Sequence, residues 1–165
     1  VQYQSASPSE LPSRWSDKVI CRQITTDEIR QIVDGFAKTA RLCRDAGVDG
    51  VEVHAVHEGY LLDQFTLPYT NRRDDEYGGS FENRYRFATD IVRAIKAACG
   101  VDFPVSLRYS VVSKTKSFCY GALPGETYEE IGRDLTESEA HALALADGEV
   151  ADLLRRIDDD PVPGG

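Results

Sequence analysis

Apolar residues in this chain recur with two different periods. Ile29, Ile32, Val33, Phe36, Ala40 and Cys43 follow at three- and four-residue steps, which puts them on one stripe of a helix. Thr25 and Glu28 stand at capping-box spacing before that stripe and Gly47 ends it, so a helix is predicted over 26–46. The run Gly50-Val51-Glu52-Val53-His54 then alternates. Val51 and Val53 face one way, Glu52 and His54 the other, as in a strand. A second helical stripe, Phe87, Ala88, Ile91, Ile95 and Ala98, predicts a helix over 80–98 with Gly100 as its stop. Residues 104–109 alternate again, with Val105 and Leu107 apolar and Ser106 and Arg108 polar. Residues 1–24, with Pro8, Pro12 and several serines, hold no sustained period and read as an extended loop. Residues 55–79 read as a long polar and aromatic connection. Thr136 and Glu139 repeat the capping-box spacing and open a further helix.

Helices alternating with strands imply parallel β/α units. Both strands end in polar or charged residues and are followed by long connections, the arrangement of a (β/α)8 barrel whose chemistry lies at the C-terminal strand ends. A doubly wound sheet is the alternative, and the lack of any GxGxxG or Walker A turn weighs against it. A whole barrel takes about 250 residues. The expected fold is therefore α/β: a partial (β/α)8 TIM barrel of two to three β/α units with parallel strands. Residues 1–24 form the lead-in, 25–146 the β/α units and 147–165 an atypical tail. The absence of methionine is in keeping with an internal piece of a longer protein.

Composition narrows the partners. With 41% hydrophobic and 28% charged residues, the 165-residue chain has the make-up of a folded domain. A formal net charge of −9 argues against nucleic acid. No apolar run is long enough to cross a membrane, and the first residues lack the pattern of a secretion signal. Cys21, Cys43, Cys99 and Cys119 lie at least 20 residues apart, which excludes the spacing of a structural zinc or iron–sulfur site within the chain. Free thiols and a cytoplasmic location are expected.

Candidate chemistry concentrates directly after the first strand. His54, His57 and Tyr60 put two imidazoles and a phenol within seven residues, with Gly59 to allow a sharp turn. Imidazole N–H groups can stabilise negative charge developing on a carbonyl oxygen, and a phenol can act as general acid. Blander readings stand beside this one. A strand-end histidine can be purely structural, His54 and His57 could hold a metal, and Tyr60 could pack with Leu61 and Leu62 in the core. A metal-dependent barrel hydrolase is thus one alternative function.

The order of short motifs carries more information than any of them alone. Phe36-Ala37-Lys38-Thr39-Ala40, Ala46-Gly47-Val48-Asp49-Gly50-Val51-Glu52-Val53-His54 and Gly59-Tyr60-Leu61-Leu62-Asp63-Gln64-Phe65 come first. Asn71-Arg72-Arg73, Asp75-Glu76-Tyr77-Gly78-Gly79-Ser80, Glu82-Asn83-Arg84 and Phe103-Pro104-Val105-Ser106-Leu107-Arg108-Tyr109-Ser110 follow. Together they resemble the Old Yellow Enzyme (NADH:flavin oxidoreductase) family. His57-Glu58-Gly59-Tyr60, Ser113-Lys114-Thr115-Lys116 and Gly121-Ala122-Leu123-Pro124-Gly125-Glu126 are most similar to its 2-enoate, 2,4-dienoyl-CoA and bile-acid-modifying reductases.

The resemblance implies an FMN-dependent oxidoreductase of activated C=C bonds in enoates, enoyl-CoA or unsaturated steroids, with NADH or NADPH as reductant. It implies that His54 and His57 hold the substrate carbonyl, that Tyr60 protonates the α-carbon, and that Arg108 lies by the flavin N1/O2 edge. An ion pair with Glu52, on the same face, is the structural alternative for Arg108. The run from Tyr77 to Arg84 is expected to be architectural, with Ser80 as a helix cap. Iron–sulfur cluster and FAD would belong to downstream regions. The implied partners are flavin, a small alkene and the remainder of the parent barrel, with self-association of the isolated piece possible. A truncated, non-catalytic product that binds no flavin is the other alternative.

Overall fold

In the computed structural model, which describes residues 4–13, 16–55, 60–109, 115–117 and 120–121, both amphipathic stripes are helices. Helix α1 spans Thr26–Asp45. The Thr25 hydroxyl accepts from the Glu28 N–H at 3.2 Å, and the Glu28 carboxylate accepts from the Thr25 N–H at 3.0 Å. The capping box is therefore complete, and it satisfies two groups that the first helical turn leaves without intrahelical partners. Gly47 follows with φ +85°, a left-handed conformation that ends the helix without the strain a side chain would add. Helix α3 spans Phe81–Cys99, with the Ser80 side chain accepting from the Asn83 N–H at its start and Gly100 at φ +97° at its end.

Strands β4 (Val51–Ala55) and β5 (Val105–Tyr109) pair in parallel, Val53 opposite Leu107 and His54 opposite Arg108. The α1 and α3 stripes and the apolar face of this sheet make one core. Ile29, Val53, Phe87, Ile91 and Ile95 are essentially sealed from solvent within it. Glu52, His54, Ser106 and Arg108 occupy the opposite, exposed face. The alternation read from the sequence thus separates the packed side of the sheet from its chemical side.

Two stretches differ from the sequence expectation. The lead-in 1–24 is not a plain loop. It holds β1 (Ala6–Ser7), β2 (Leu11–Ser13) and β3 (Ser16–Gln23), with β3 parallel to β1 and antiparallel to β2. Among the described side chains of β3 only Cys21 is buried, while Val19 and Ile20 are exposed, so no inside–outside alternation marks this ribbon in the sequence.

The connection 55–79 contains helix α2, Leu61–Thr66. Its six residues are too few to show a helical period, and those at 62–66 are all buried. Tertiary hydrogen bonds stabilise it instead. Its last four carbonyls, which no helix can satisfy internally, accept from side chains. The Thr66 hydroxyl donates to Asp63 O (2.8 Å), the Thr70 hydroxyl to Gln64 O (2.5 Å), Asn71 Nδ2 to Phe65 O (2.7 Å) and Arg84 Nε to Thr66 O (2.9 Å).

Arg73 ties the lead-in to this loop. Its side chain is 2% exposed, donates to Pro8 O (2.8 Å) and Ile24 O (2.7 Å), and pairs with Asp75 through Nη2 (2.5 Å) and Nε (2.9 Å). Burial pushes the Asp75 carboxyl up, but hydrogen bonds from Arg73 and the Tyr77 N–H outweigh it and hold the group below its ordinary range. Beyond β5, Thr115–Ser117 (β6) and Tyr120–Gly121 (β7) pair antiparallel. The helix expected to open at Thr136 and the tail 147–165 lie outside the described residues. No helix among the described residues is long and apolar enough to cross a membrane.

Candidate active site

The face carrying Glu52, His54, Ser106 and Arg108 is polar because strand alternation sends Val53 and Ala55, both 2% exposed, into the core. Parallel register then sets His54 beside Arg108 and Glu52 beside Ser106. A cation and an imidazole thus come together from positions 54 residues apart, on one sheet face. The Arg108 Nε lies 3.1 Å from Glu52 Oε1, with both side chains about half exposed at 56% and 48%. The ion pair foreseen as the structural alternative for Arg108 is formed.

Tyr60 sits just before α2, as its N-cap residue, in extended conformation with φ −92° and ψ 146°. Its carbonyl accepts from the Gln64 N–H at 3.1 Å, which locks its backbone to the helix. Tyr60 is 50% exposed and therefore not a core residue, whereas Leu62 at 6% and Phe65 at 1% fill the core. The ring meets His54 edge-on, with centroids 5.2 Å apart and planes at 87°. Edge-to-face contact between aromatic rings is favourable and limits how both rings can turn.

Three of the four residues singled out from the sequence, His54, Tyr60 and Arg108, therefore share one side of the β4–β5 sheet. His57 lies outside the described residues. The support beneath Tyr60 was not foreseen as such: α2, together with Thr70, Asn71 and Arg84, gives the phenol a rigid base. Its signal was a set of polar residues in a stretch that had to be buried, and only the tertiary contacts show which carbonyls they reach.

The arrangement offers hydrogen-bond donors from His54, a phenolic proton from Tyr60 and a cation from Arg108. This set suits a ligand with a carbonyl or an anionic ring edge. Among the described residues no group of three or more His, Cys, Asp or Glu side chains could hold a metal ion.

The whole chain can also be compared with known proteins. Over 145 residues the chain is 52% identical to a cinnamate reductase of Clostridium sporogenes, covering 87% of this chain and 22% of that protein. It is 39% identical to an NADH oxidase of Thermoanaerobacter brockii, covering 88% of this chain and 21% of that protein. The chain thus spans about a fifth of the length of these curated relatives. The fold superposes on the old yellow enzyme homologue of Zymomonas mobilis with a TM-score of 0.60 and 31% identity, over 72% of this chain and 35% of that one. The described β/α units are accordingly part of a TIM barrel, seen from the end where its strands finish. With the family profile matching residues 1–152, the chain belongs to the NADH:flavin oxidoreductase / NADH oxidase family.

Proposed function

We propose that this chain forms part of an FMN-dependent reductase of carbon–carbon double bonds activated by a carbonyl, with NADH or NADPH as reductant. In this reading Tyr60 is the proton donor, His54 and His57 hold the substrate carbonyl, and Arg108 faces the flavin. The observation that carries it is the 5.2 Å edge-on contact of Tyr60 with His54, the register partner of Arg108. Likeness to a cinnamate reductase favours an aryl or alkyl enoate as substrate.

The residues present fit a flavin. Arg108 presents a permanently charged, planar donor on an exposed sheet face, as an electron-rich ring edge requires. When bound, the flavin supplies the hydride equivalent. His54 donates an N–H to the substrate's carbonyl oxygen, where negative charge grows as the double bond is reduced. Tyr60 delivers its phenolic proton to the α-carbon, from a position that the buried α2 holds still. Free thiols at Cys21, Cys43 and Cys99 accord with a reducing, cytoplasmic setting.

Tyr60→Phe tests the assignment in the flavin-loaded protein. Reduction of the flavin by the nicotinamide should hardly change, because that step uses no phenolic proton. Reoxidation by an enoate should slow by about 10²–10⁴-fold. Equal slowing of the two half-reactions refutes Tyr60 as proton donor.

A further inference from the structure

We infer that Glu52 is a positioning residue that fixes Arg108 on the flavin side of the site and tempers its charge, an inference that rests on the reading above. Glu52 lies two residues before His54 on the same face, opposite Ser106, and Arg108 lies opposite His54. The guanidinium could extend past the strand end. Instead its Nε sits 3.1 Å from Glu52 Oε1, diagonally back across the two strands. The carboxylate therefore decides where the planar fork rests.

Stability does not explain the pair. Half-exposed ion pairs contribute little to folding, because water screens the attraction and two long side chains lose freedom. The chemical setting gives it a role. The Arg108 guanidinium is a planar fork with donors on more than one edge. Once other barrel strands and a flavin cover this face, an unpartnered guanidinium would become costly and would pull strongly on any negative charge nearby. A carboxylate on one edge of the fork, at Nε, leaves the Nη groups for another ligand and offsets part of the positive charge. Glu52 would thereby set how strongly Arg108 stabilises the electron-rich, reduced flavin. Ser106, which faces Glu52 across the strands, carries no charge and cannot substitute for it.

The test measures the reduction potential of the bound flavin in the full flavin-loaded protein, for wild type, Glu52→Gln, Arg108→Met and the double variant. Glu52→Gln should raise the potential, because the reduced flavin then meets an uncompensated cation. Arg108→Met should lower it. The Glu52→Gln shift should vanish in the Arg108→Met background, since Glu52 acts through Arg108. An unchanged potential in Glu52→Gln, beside a lowered one in Arg108→Met, overturns the inference and leaves the proposed function standing. A Glu52→Gln shift that persists at full size without Arg108 also overturns it. If Arg108→Met leaves the potential untouched, Arg108 is not beside the flavin and both readings fall. Should Glu52→Gln not fold, Glu52→Asp keeps the charge but draws it back by one methylene. It should raise the potential by a smaller amount, and no change refutes the role.

Discussion

Removing the Arg73 guanidinium should unfasten the N-terminal ribbon from the barrel. In Arg73→Leu two carbonyls, Pro8 O and Ile24 O, lose a buried charged donor at 2.8 and 2.7 Å. Leaving a buried acceptor unsatisfied costs about 1–3 kcal/mol, so the two together cost about 2–6 kcal/mol before relaxation. Asp75 loses its ion-pair partner as well. Its side chain is 25% exposed and keeps the Tyr77 N–H at 3.1 Å, so water offsets much of that loss. Leucine restores some apolar contact with Phe65, over whose ring the guanidinium carbon lies at 5.8 Å. The net expectation is a destabilisation of about 3–5 kcal/mol, as for other broken buried charge networks. That is a large part of the roughly 5–15 kcal/mol that holds a typical domain together. Urea denaturation of the purified protein measures the total. Amide hydrogen exchange shows where it falls, because the Ile24 N–H bonds Ser7 O (2.9 Å) and the Arg22 N–H bonds Ser5 O (3.0 Å). Those amides should lose protection before the amides of α3. A loss below about 1 kcal/mol, or Ile24 and Arg22 amides as protected as in wild type, would refute the assignment of Arg73 as the fastening between the two segments.

Hydrogen bonds from Arg22 hold the Glu28 carboxyl down to about 2, with the Thr25 N–H and hydroxyl adding to the effect. A depressed carboxylate stabilises the fold fully above its unfolded value, near 4.5, and loses that contribution as pH falls toward about 2. Glu28→Gln should therefore flatten the stability-versus-pH curve between those limits, and an unchanged acid limb would contradict the pairing of the Glu28 carboxylate with Arg22. Replacing His54 and His57 by alanine should weaken phenol-like ligands, which mimic the enolate, and leave metal content unchanged. Stoichiometric zinc that disappears from the double variant, read by metal analysis, would favour the hydrolase alternative. The 165-residue chain by itself should show no saturable micromolar binding when titrated with FMN. Among the described residues β4 and β5 pair only with each other, and two strands cannot enclose a flavin.

What could be read from the sequence, and what could not, follows from the range of the forces involved. Helices α1 and α3 were legible because their signals are local. Thr25 and Glu28 cap one end within four residues, Gly47 and Gly100 release the other, and the stripe between repeats at the helical period. Strands β4 and β5 were legible because one face is buried and the other exposed, which writes alternation into the residues. The same alternation named Glu52, His54 and Arg108 as residues of one kind of face, and ordered motifs pointed to Tyr60.

The ribbon at 6–23 escaped because its pairing is held by backbone hydrogen bonds and by Arg73, which is at least 50 residues further along the chain. Helix α2 escaped because it is buried nearly all round and stabilised at its C-terminal end by Thr66, Thr70, Asn71 and Arg84. Periodicity registers a boundary between core and water, and α2 has almost none. Only the tertiary structure set Tyr60 edge-on to His54 and turned Arg108 back onto Glu52, because parallel register and side-chain direction depend on strands that meet across 49 residues of intervening chain. Residue types follow from the sequence; which of them touch is decided when the sheet closes.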